Sequence, residues 1–199
     1  MKARFAVMSF GVMALALAGC GDGAEQPQPS EPVTEEQIAA QTPNAPTERP
    51  IDLLAEGVVI QPPEAGGRAY VLDFGDPEDD VVEALTMVFG GPQFGSNAEC
   101  GAGPMEFATF DQFVANFQDD RFVGWSVNGP TDRASFSGPE GVTLGMAAAD
   151  LRKLPTYAAL DDSTLGEEFM LGSGEMMVSG LIEDNQVAVM WGGANCNFR

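Results

Sequence analysis

The sequence predicts an α+β domain in which two tandem repeats, each a short helix followed by antiparallel strands, form a sheet with its helices on one face. Three observations predict it. The stretch GDPEDDVVEAL, Gly75 to Leu85, can be laid over GMAAADLRKLP, Gly145 to Pro155, so that Gly75 meets Gly145, Asp80 meets Asp150 and Val81 meets Leu151. Each glycine opens a short helical pattern. Each pattern is followed by a pair of strand-like runs whose second member carries a tryptophan, Trp125 or Trp191. Helices gathered on one face of antiparallel strands define the class.

The chain opens with Lys2 and Arg4, then an apolar run from Phe5 to Ala18 that stops at small residues. That is the anatomy of a secretory signal, expected over residues 1–19, and the run is too short to span a bilayer as a mature helix. Residues 21–50 are rich in Pro, Gln, Glu and Thr, with Val33 and Ile38 the large apolar side chains among them. Such a segment cannot bury a core, so residues 20–50 are expected to form a disordered tether, with a root-mean-square span of roughly 30 Å. Apolar residues return at IDLLAEGVVI, and residues 51–199 are long enough for one domain with its own core, its halves at about 58–130 and 134–199.

In the first copy Asp76 suits the N-cap, Pro77 the first helical position, and Glu78, Asp79 and Asp80 favour the positive end of the helix dipole. Val81, Val82, Leu85 and Val88 or Phe89 make an apolar face, and Gly90-Gly91-Pro92 ends the helix. No calcium-loop spacing accompanies these acids. The runs QFVANF and RFVGWSV flank the turn QDD, and EMMVSGLI and QVAVMWG flank the turn EDN, which reads as two hairpins.

The whole chain carries a formal charge of -21, and removal of the leader takes away two bases and no acid. Nucleic acid and anionic membrane surfaces are therefore excluded as charge-driven partners. Histidine is absent, which removes Ser-His-Asp, Cys-His and histidine-containing zinc sites. No G-x-S-x-G, P-loop or S-x-x-K is present. Carboxylate chemistry survives, with Asp73, Glu99, Glu106, Asp161 and Asp162 available. No catalytic residue, metal ligand or cofactor is assigned.

Phe107, Phe110, Phe113, Phe117, Phe122 and Trp125 fall on strand-like runs, where alternation sends one set inward and the other to the opposite face. Most are expected in the core. Phe113, Phe117, Trp125 and Trp191 are the candidates for a contact surface if one sheet face is open.

Leu17-Ala18-Gly19-Cys20 resembles the bacterial lipobox. The resemblance implies that Cys20 is diacylated and becomes the N-terminus of a lipoprotein held at the cell envelope by its lipid, with the domain in the periplasm. Asp22 stands one place beyond the position directly after the cysteine, which favours the outer membrane over the inner. Cys100 and Cys196 then remain, and in an oxidising compartment such a pair is expected to be bridged. The tail WGGANCNFR is similar to the ends of small bacterial lipoproteins, which implies the same disulfide architecture.

The order of glycine, helix and strand meander, with VTLGMAAADLRKL matching an apolar-x-L-G-M-x-x-x-(D/E)-(V/L) opening, resembles the SmpA/OmlA (BamE-like) lipoproteins and the beta-lactamase inhibitor protein-like tandem repeats. In the first copy Asp76 replaces the methionine. The resemblance implies an envelope protein that works by contact with other proteins. The expectation is thus a non-catalytic, lipid-anchored contact or scaffold module with an envelope protein partner. A periplasmic binder of a small molecule or glycan is the alternative, and an acid-pair hydrolase follows it.

Overall fold

The computed structural model describes residues 48–174 and 176–197. The leader, Cys20 and the segment up to residue 47 lie outside the described residues. Among the described residues, twelve strands form two sheets: β1 (Arg49–Leu54), β2 (Gly57–Ile60), β3 (Tyr70–Asp73), β4 (Gln93–Asn97), β5 (Met105–Phe110), β6 (Phe113–Gln118), β7 (Arg121–Val127), β8 (Ala134–Ser137), β9 (Ala158–Leu160), β10 (Glu167–Ser173), β11 (Met176–Glu183) and β12 (Gln186–Gly193). Helices are short: α1 (Glu78–Phe89) and α2 (Ala148–Leu151), with a 3-10 turn at Pro139–Gly141.

This corrects the α+β expectation, for the fold is mainly β. The second helical pattern yields a single turn, because Pro155 disfavours helix at the residue before it. The run from Ile51, in which Asp52 and Glu56 interrupt the apolar residues, forms β1 and β2. With β3 and β8 they make a four-stranded sheet of order β3-β2-β1-β8, in which β1 and β8 run parallel. A sheet thus lies where helices were expected to cover the larger one.

The larger sheet has the order β4-β5-β6-β7-β12-β11-β10-β9. It is antiparallel throughout, and its two runs of four strands meet at β7 and β12. The β6–β7 and β11–β12 hairpins each close with two residues at positive φ, Asp119-Asp120 and Asp184-Asn185, the turn chemistry that matches strand twist. A register shift precedes each turn, at Asn116/Phe117 and at Leu181/Ile182. The backbone bonds also recur. Gly75 donates its N–H to Phe122 and Gly145 to Val187, each over 2.8 Å, while Phe122 donates to Asp76 and Val187 to Met146, each over 2.9 Å.

One face of the large sheet is sealed by α1 and the small sheet. Val81, Ala84, Leu85 and Phe89 of α1 are buried, and Phe89 stacks on Phe113 of β6 and Phe136 of β8. Trp125, fully buried, donates its indole N–H to the Leu54 carbonyl over 2.9 Å, tying the two sheets. Gly192 sits under that indole, where a Cβ would come within 2.8 Å of its ring. Asp76 does not cap α1. Its carboxylate accepts the Asp73 N–H instead, and Pro77 takes the cap position.

Candidate functional site

At one end of the first half, a cleft of about 470 Å³ opens between β4, the β4–β5 loop, β5 and the β6–β7 turn. Its lining includes Ser96, Asn97, Pro104, Glu106, Gln118 and Asp120. The hydrogen bond from the Glu78 N–H to the Asp120 carbonyl brings the start of α1 beside this end. Glu78, Glu106 and Asp120, carried by three separate elements, therefore hold carboxylate oxygens within 4.8 Å of one another. Burial, and then the charges of Glu106, Asp120 and Asp79, hold the Glu78 carboxyl above the ordinary carboxylate range.

The far wall is braced covalently. Cys100 and Cys196 are joined in a disulfide, with Cα atoms 4.9 Å apart across 96 residues of chain. Asn97 directs its amide at the Cys196 sulfur, and Gln118 holds the loop by donating to the carbonyls of Ala102 and Pro104 over 2.9 and 3.0 Å. The C-terminal strap itself lies on the reverse face of the sheet. Buried Asn116 donates to the Ala194 carbonyl and to Asn195, and Gly124 permits the approach, since a Cβ there would sit 2.0 Å from the Ala194 oxygen.

Beside the cleft runs β4, at the end of the sheet, with no outer neighbour among the described residues. Gln93, Phe94, Gly95 and Ser96 are exposed, and none of its five residues is charged. Phe94 is 66% exposed, the most exposed large apolar side chain among the described residues.

The corresponding place in the second half has a different content. Ala148 donates to the Asn185 carbonyl where Glu78 donates to Asp120, and Glu167 takes the position of Glu106 in the register. Glu167 is paired with Arg152, whose guanidinium is raised by its hydrogen bonds to Glu167 and Tyr157. One carboxylate paired with a cation stands where the first half has three that make no ion pair among the described residues.

Comparison of the chain with protein-family models, with curated protein sequences and with solved structures finds no match.

The aromatic candidates for a contact surface are core residues. Phe113, Phe117 and Trp125 are fully buried and Trp191 nearly so, because the small sheet and α1 close over the face that the first three share. Of the acids weighed for carboxylate chemistry, Glu106 alone enters the cluster. Glu78 and Asp120 were hidden in a helix start and a hairpin turn, both of which explain an acid locally. Phe94 carried one signal that pointed to it: a phenylalanine in an uncharged run next to the Gly-Gly-Pro that stops α1.

Proposed function

We propose that the protein is a lipid-anchored envelope lipoprotein that works without catalysis, by holding another protein through β4 and the acidic cleft beside it. The observation that carries this reading is β4 itself, an uncharged strand with one edge unpaired among the described residues and an exposed phenylalanine, in a chain of net charge -21. Unpaired strand edges are templates for another chain, and proteins commonly blunt them with charge, proline or a bulge. None of these lies within β4. The lipobox-like Leu17-Ala18-Gly19-Cys20 supports attachment at the periplasmic side of a membrane, the outer one in preference. The SmpA/OmlA-like and beta-lactamase inhibitor protein-like opening supports contact as the mode of action.

Photo-reactive residues placed at Phe94 and Ser96 in cells, with Ala158 and Ala159 of the opposite edge as controls, test the contact. A discrete adduct at the first two positions and none at the controls supports it. Adducts at all four alike, or at none, overturn it. Recovery of a small molecule in the cleft of the purified protein would favour the binder reading, for which a cavity of this volume is adequate. Changing Cys20→Ser should leave an unprocessed or soluble form, and a normally lipidated membrane form of that variant refutes the anchor.

A further inference from the structure

We infer that the segment captured at β4 is an extended, basic stretch of the partner, added to the large sheet as a ninth strand. The inference rests on the contact reading above and adds the chemistry of what is held. Two features act together. The edge supplies a row of backbone donors and acceptors five residues long, and Phe94 supplies apolar area beside it. Main-chain bonds give affinity in strand addition, while alternate side chains give selectivity.

Selectivity for a base follows from what lies on the same face. Ser96 is paired with Glu106 in the register, so a side chain of the added strand opposite Ser96 points along the face that carries Glu106. Two strand spacings, about 10 Å, separate an added strand from β5, a distance that an extended lysine or arginine and a glutamate span together. Asp120 and Glu78 stand behind Glu106. The ion pairs among the described residues, Arg152–Glu167 and Lys153–Asp150, are both in the second half, and Arg121, next to Asp120 in the chain, gives its guanidinium to the Gly75 carbonyl and not to these acids.

The opposite edge is built differently. β9 is three residues long and runs into Asp161 and Asp162, whereas β4 is five residues long, follows Pro92 directly and meets no acid before Glu99. A second copy of this chain is a poor occupant of β4, because each brings a formal charge of -21 to the other.

The test uses the full-length lipidated protein in detergent micelles and two end-blocked heptapeptides, Ser-Val-Lys-Val-Lys-Val-Ser and the same sequence with glutamate for lysine. Binding is read by fluorescence anisotropy and the site by amide hydrogen exchange. The lysine peptide should bind, slow exchange over residues 93–97 and weaken as salt rises, while the glutamate peptide should not bind. E106Q/D120N, which keeps the side-chain shapes, should weaken the lysine peptide about tenfold. The inference is overturned if both peptides bind alike, if neither binds, if binding leaves 93–97 unprotected, or if the double variant binds as wild type. Concentration-dependent protection of 93–97 without peptide also overturns it, in favour of a second copy. In-cell adducts at Phe94 and Ser96 alongside a failed peptide test remove the basic chemistry and keep the contact reading; absence of adducts removes both.

Discussion

Glu78 and Ala148 occupy matching places at the starts of their helices, each giving its N–H to the second residue of a tight hairpin turn, Asp120 in one half and Asn185 in the other. The backbone is the same and the chemistry is not. Around Ala148 the acids Glu167 and Asp150 are paired with Arg152 and Lys153; around Glu78 the acids Glu106 and Asp120 add their charge. The disulfide joins Cys100 of the first half to Cys196 at the end of the second, and the first half carries the longer, uncharged edge strand, whereas the edge of the second half runs into Asp161 and Asp162. Two frames with equal hydrogen bonding thus differ in electrostatic content and edge chemistry. On the contact reading proposed above, that difference places the contact in the first half.

The largest expected effect tests whether the first half is also the mechanical centre. Trp125→Ala should cost about 4 kcal/mol, because it empties a fully buried site and leaves the Leu54 carbonyl without its indole donor. Met190→Ala, at the corresponding register position in the second half, should cost about 2 kcal/mol. Urea midpoints of the two variants decide it, and equal losses would remove the asymmetry in packing.

Next comes the brace. Cys100→Ser together with Cys196→Ser should cost roughly 3 kcal/mol, since the bond closes a loop of close to one hundred residues. Hydrogen exchange should quicken over residues 97–104 while β9 to β11 keep their protection. Uniform quickening would mean that the disulfide stabilises both halves equally.

Smaller still is the acid cluster. Burial and neighbouring charge raise Glu78 above its unfolded value of 4.5, so the folded state binds its proton more tightly than the unfolded chain. The stabilising contribution is therefore full below pH 4.5 and is lost as pH rises through the raised folded value. Glu78→Gln should flatten that dependence and raise stability at pH 7 by about 0.5 kcal/mol, a figure kept small by solvent screening. An unchanged urea midpoint against pH would show that the three carboxylates do not feel one another.

The smallest effect belongs to the exposed pair of the second half. Arg152→Gln should leave the urea midpoint within error, since exposed pairs contribute little. A clear loss would give that pair a structural weight equal to the acids of the first half and blur the comparison.

The parts of this protein that depend on neighbouring residues were readable in the chain. QDD and EDN between runs of β-formers specify tight hairpins, and Asp119-Asp120 and Asp184-Asn185 adopt the turns. The apolar face of VVEALTMVF and the glycines after it specify α1 and its end at Gly90. Cys100 and Cys196 were readable by elimination once Cys20 was set aside, and they are bonded. What joins distant segments was not readable. Pairing of Arg49–Asp52 with Ala134–Ser137 created a second sheet, and that sheet, not a set of helices, covered Phe113 and Trp125 and withdrew them from any contact role. Glu78, Glu106 and Asp120 each had a sufficient local reason to be acidic, and only the register of β5 on β6 and the bond from α1 to the hairpin turn set them side by side. Periodicity and turn chemistry act over a few residues and are written in the order of the chain. Which strand becomes an edge, which face is covered and which charges meet are decided by long-range pairing and burial, whose energies appear only when the sheets close.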